Sequence, residues 1–153
     1  MIKACIMLKK LDISQMGFYL CRSVNQILAD TYNIDISIYY QNWGKPPIPP
    51  RFTMLMEREV FGLQGTVIST DIRTTQHLIR CPGPTKKFFY VWNLEWLAAQ
   101  TINYMSLYDI YCNDKIELIA RSKSHFDLLS KIWKEPKYIM EDFDKNTLLE
   151  IIQ

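Results

Sequence analysis

Apolar positions along the chain fall into short blocks separated by polar turns, and the blocks alternate between two periods. Residues 2–8 are almost continuously apolar from Ala4 to Leu8 and predict a strand buried on both faces. Within 18–29, Phe18, Leu20, Cys21, Val24, Ile27 and Leu28 follow helical spacing, with Arg22, Ser23, Asn25 and Gln26 on the other side. Residues 36–40 alternate and are rich in β-formers, predicting a second strand. The strongest block is 86–96, where Phe88-Phe89-Tyr90-Val91-Trp92 follows two lysines and then breaks into Asn93 and Glu95. Apolar on both pleat faces, it predicts the interior strand of a helix-covered parallel sheet.

Between these blocks, 65–70, 116–120 and 138–140 predict further strands, giving six. Helices are expected over 54–61, 72–80, 94–111 (with a break near 101–102), 123–133 and 145–152, the last two capped by Ser122 and Asp144. The segment 44–50 holds four of the seven prolines, which lack amide donors and fix extended backbone. It predicts a surface loop within the fold. Strands joined by helices or long connections predict a parallel α/β sheet with helices on both faces. The 86–96 strand is expected beside the first strand, where the strand order reverses and open sheets hold their ligands.

Composition narrows the class. At 153 residues the chain suits one domain, spanning 1–153. Hydrophobic residues make up 48% and charged residues 22%, which excludes a disordered chain. The net charge is only +2 and no block of Lys or Arg occurs, so there is no nucleic-acid signature. The four cysteines form no CxxC pair, and two histidines do not assemble a zinc pattern with them, so no metal is expected. Apolar surroundings for three of the cysteines predict free thiols in a reducing compartment. With no signal-peptide pattern and no segment long enough to span a bilayer, the expected location is cytoplasmic.

Candidate chemistry gathers after strands. Gly17 follows the first strand and enters the first helix, either placing an anion at the helix N-terminus or only permitting a tight turn. Neither GxGxxG nor GxxxxGK[ST] occurs, so no nucleotide cofactor is expected. Trp92, Asn93 and Glu95 end the 86–96 strand, and Trp92 is a candidate for stacking on a sugar ring. Arg121, Ser122 and His125 sit at a strand-to-helix junction suited to an anion or hydroxyl. Asp142-Phe143-Asp144 matches a DxD metal pattern, with helix capping by Asp144 as the better explanation.

Four segments carry a resemblance. They are Met16-Gly17-Phe18-Tyr19-Leu20, Phe89-Tyr90-Val91-Trp92-Asn93-Leu94-Glu95-Trp96, Ile119-Ala120-Arg121-Ser122-Lys123-Ser124-His125 and Tyr138-Ile139-Met140-Glu141-Asp142-Phe143-Asp144. Together they resemble the N-terminal, Rossmann-like half of GT-B glycosyltransferases, nearest the retaining nucleotide-sugar enzymes and small glycosyltransferase-like proteins of tailed phages. The family often carries a double glycine after the first strand, where this chain has Gly17 alone, and a histidine where it has Trp92.

The resemblance implies a single Rossmann-like domain with a six-stranded, mainly parallel sheet, corresponding to the acceptor side of such an enzyme. It implies sugar transfer from a nucleotide sugar, with the donor-binding domain supplied by another chain or subunit. Gly17 would lie at the phosphate position, Trp92, Asn93 and Glu95 on the acceptor, and Arg121, Ser122 and His125 on a phosphate or hydroxyl. The alternative is a non-catalytic binding or assembly module that keeps the fold and presents the proline loop and Trp43 to a partner, including another copy of itself.

Overall fold

The computed structural model describes residues 1–98 and 102–153. Its centre is a seven-stranded sheet: β1 (Ile2–Lys10), β2 (Ile34–Asn42), β3 (Thr53–Met56), β4 (Thr66–Ser69), β5 (Lys86–Val91), β6 (Glu117–Ala120) and β7 (Tyr138–Ile139). Five α-helices accompany it: α1 (Gln15–Asp30), α2 (Ile72–Arg80), α3 (Tyr104–Tyr111), α4 (Lys123–Ile132) and α5 (Lys145–Ile152). The spatial order is β3-β2-β1-β4-β5-β6-β7, and every neighbouring pair is parallel.

Alternation along the strands divides the interior into two cores. Ala4, Ile6 and Leu8 of β1 join Leu20, Val24 and Ile27 of α1 and Leu148 and Ile151 of α5 on one face. Cys5 and Met7 join Leu78 of α2, Leu107 and Tyr111 of α3 and Leu129 of α4 on the other. This two-sided burial explains why Ala4–Leu8 and Phe88–Val91 are continuous apolar runs. Tyr90 also crosses the layer, its hydroxyl donating to the Met140 carbonyl at 2.5 Å. A buried phenol without that acceptor would lose about 1–3 kcal/mol.

The α/β class and the helices on both faces agree with the sequence. The strand count does not: residues 54–56, expected to begin a helix, belong instead to β3, which pairs with β2 from Ser37↔Thr53 to Tyr40↔Met56. Only residues Glu57–Gly62 turn helical, as a 3-10 segment. The β2–β3 connection therefore carries no helix. It is the proline loop, tied to α1 by Asn25, whose Nδ2 donates to Pro49 O at 2.9 Å and whose Oδ1 accepts from Arg51 N at 2.8 Å.

The helix expected over 94–111 is also shorter. Glu95–Leu97 forms one 3-10 turn, and α3 starts only after Asn103, whose side chain accepts from Ser106 N. The break expected near 101–102 falls partly outside the described residues. A further correction concerns β5, which pairs with β4 and β6 and not with β1. The reversal of strand order lies between β1 and β4. Among the described residues, no helix is long and apolar enough to cross a membrane.

Candidate functional site

Because every strand is parallel, all carboxyl ends open on one edge, where the loops after β1, β4, β5, β6 and β7 meet. The strand order reverses between β1 and β4, and in open α/β sheets such a switch point is the usual ligand position. A chain of hydroxyls ties the strand ends together there. Thr70 Oγ1 donates to Met7 O at 3.0 Å, linking β4 to β1. Ser69 Oγ donates to Phe88 O at 3.1 Å and meets Thr75 Oγ1 at 2.7 Å, and Thr75 Oγ1 donates to Asp71 O at 2.7 Å.

Asp71 is thereby fixed at the start of α2 in a reciprocal cap: its Oδ1 accepts from Thr74 N at 2.9 Å, and Thr74 Oγ1 accepts from Asp71 N. Its second oxygen, Oδ2, is buried with no hydrogen-bond partner among the described residues.

Glu95 reaches this position from the loop after β5, its Oε1 accepting from Ile72 N at 3.1 Å. Burial, and then the negative charge of Asp71, push its carboxyl up to about 7, against the opposing pull of the Ile72 amide and Lys9. A carboxyl that is half-protonated near neutral pH can both accept and return a proton. Near it, the Tyr111 hydroxyl is buried without a partner among the described residues, and burial with the charge of Glu95 raises its phenol far above the ordinary range. The start of α2 thus brings a proton-exchanging acid near the Asp71 side chain.

Trp92 and Arg121 form a second group at the ends of β5 and β6. Trp92 is only 6% exposed, and its indole stacks on Phe143 with centroids 5.7 Å apart. The Arg121 guanidinium lies 3.7 Å from the indole centroid, a close cation–π contact. Arg121 also donates to Asp142 Oδ1 from Nη2 at 2.9 Å and from Nε at 3.3 Å. This pair holds a strained turn, since Asp142 and Phe143 have φ of 46° and 57°. Left-handed backbone at a bulky residue such as Phe143 is costly and persists only where the surroundings enforce it. Here the enforcement comes from Phe143 buried between Tyr90 and Trp92.

Gly17 and Ser122 have local partners. Gly17 N donates to Ser14 Oγ at 3.1 Å, so that amide serves the helix cap. A Cβ at Gly17 would lie 2.2 Å from Asp12 O, which accounts for the glycine by close backbone approach. Ser122 Oγ caps α4 by accepting from His125 N at 3.2 Å, while His125 Nδ1 is buried without a partner among the described residues. Asn93 is exposed. The DxD segment splits into two structural roles: Asp142 pairs with Arg121, and Asp144 accepts from Thr147 N at 2.9 Å as the cap of α5. Among the described residues, no cluster of three His, Cys, Asp or Glu side chains could hold a metal.

The structure therefore brings Trp92 and Arg121 together and sets Glu95 apart from them, with Asp71. Asp71 is not legible as a site residue in the sequence, where an aspartate before a helix signals only a cap. Its one legible clue is that it directly follows a strand, Thr66–Ser69, by way of Thr70. No protein-family model matches the chain, and neither does any curated protein.

Proposed function

We propose that this domain is the acceptor-side half of a sugar transferase, with the sugar acceptor held at the β1/β4 switch point. The reading rests on one observation above all: Glu95 accepts from Ile72 N at the carboxyl edge of a parallel α/β sheet, where burial and the charge of Asp71 push its carboxyl up to about 7. Glu95 holds the acceptor hydroxyl and polarises its O–H bond. As the new glycosidic bond forms at that oxygen, the hydroxyl proton passes to the ionised Glu95 carboxylate, and the bond from the sugar to its diphosphate breaks with its electron pair leaving on the diphosphate. The nucleotide-sugar donor is held by a second half, on another polypeptide or on chain beyond this sequence. Arg121 stays with Trp92 and Asp142 and shapes the neighbouring wall.

A non-catalytic assembly module is the second reading, favoured by exposed apolar groups: Trp43 at 70%, Leu97 at 69% and Met105 at 63%. Titration calorimetry with a panel of glycosides and nucleotide sugars separates the two. The transferase reading expects saturable glycoside binding that weakens on Glu95→Gln substitution and titrates with a midpoint near 7. Absence of saturable binding to every glycoside and nucleotide sugar would overturn it in favour of the module.

A further inference from the structure

A separate groove lies on the same edge, between the ends of β2 and β3 and the flank of α2. Two adjoining cavities of about 250 and 420 Å³ share Gln41, Glu57 and Arg73 in their walls, with Arg58 on one and His77 and Arg80 on the other. Together they suit a small molecule rather than a polymer.

One carboxylate oxygen inside the groove is already committed. Glu57 Oε1 takes Gln41 Nε2 at 3.0 Å and His77 Nδ1 at 2.8 Å. Only the amide nitrogen of Gln41 can donate to a carboxylate, which fixes the orientation of that side chain. Its Oε1 is consequently left buried, with no hydrogen-bond partner among the described residues. Arg58, Arg73 and Arg80 form no ion pair among the described residues. For a chain of net charge only +2, three unpaired guanidinium groups around one groove are a local concentration rather than a general basic surface. Guanidinium forks match the geometry of phosphate oxygens, and the orphaned amide oxygen calls for a donor such as a hydroxyl.

We infer that this groove binds a phosphorylated small molecule carrying a free hydroxyl, the phosphate on the arginines and the hydroxyl on Gln41 Oε1. The inference is independent of the sugar-transfer reading, since it uses neither Glu95 nor Asp71. Calorimetry at low salt and neutral pH, with inorganic phosphate and ribose 5-phosphate as probes, tests it on the whole chain. Both should bind saturably at millimolar concentration or below, ribose 5-phosphate the more tightly.

The double variant R58A/R73A, confirmed folded by circular dichroism, should weaken both by about tenfold or more, as expected for losing charged hydrogen bonds. Gln41→Met should abolish the preference for ribose 5-phosphate and leave phosphate binding in place. Failure of either probe to bind the wild-type protein, or binding unchanged in R58A/R73A, would overturn the site. Equal affinity for the two probes in the wild-type protein would overturn the role of Gln41. Glu95→Gln should leave ribose 5-phosphate binding unchanged, so failure here and failure of the transferase reading are distinguishable.

Discussion

Glu95 owes its chemistry to its surroundings: burial and Asp71 raise its affinity for a proton, while the Ile72 amide and Lys9 oppose them. A carboxyl shifted from 4.5 to about 7 is protonated in the folded chain and ionised in the unfolded chain between those values. Folded protein then binds more protons than unfolded protein, so stability falls as pH rises through that window and stays reduced above it. Glu95→Gln keeps an acceptor for Ile72 N and removes the titration. The variant should be more stable than wild type by on the order of 2 kcal/mol at about pH 8, allowing for screening at a partly exposed carboxyl, and nearly equal at about pH 4. Urea melts at the two pH values check this; a variant less stable at the higher pH would contradict the raised proton affinity.

The sequence singled out Glu95 because a polar residue followed an apolar strand. It did not reveal Asp71, whose partnership with Glu95 exists only across the β4–β5 loops. Nor did it reveal that Arg121 would lie on Trp92, since that contact joins residues far apart in the chain.

At the scale of elements, the periodic segments were legible and the weakly patterned ones were not. Helices α2 and α5 match their expected bounds, because each begins at an Asp cap and carries a regular apolar face. The missed strand β3 consists of Thr-Met-Leu-Met, where methionine and leucine favour helix, and edge pairing with β2 decides the outcome. That edge is reached through a proline loop rather than a helix, so its position depends on Asn25. Replacing Asn25 with alanine removes both loop hydrogen bonds, each worth about 1 kcal/mol. Thermal melting should register a loss of about 1–2 kcal/mol, and limited proteolysis should cut within 44–50 faster than in wild type. An unchanged cleavage rate would show that the prolines and Ile48 hold the loop without Asn25.

For the whole molecule, two cores on opposite faces of one sheet place the greatest burial at its centre. Native-state hydrogen exchange should therefore be slowest in β1, β4 and β5 and fastest in β3 and β7, the two edges. An edge strand outlasting β1 would mean that the two faces do not unfold as one unit. The overall class was readable because apolar strands alternating with helices admit few arrangements. The position of the order reversal was not, because no pattern within a strand encodes which neighbour it takes.

The order β3-β2-β1-β4-β5-β6-β7 also bears on how the chain assembles during synthesis. Strand β1 emerges before the others and already sits at the heart of the sheet, so β2 can add to one side of it early. From β4 onward, succession along the chain equals succession in space: each strand leaving the ribosome meets a free edge made by the strand before it. Half of the sheet can thus grow outward in the direction of translation, with only the switch from β3 to β4 requiring a return to an older edge.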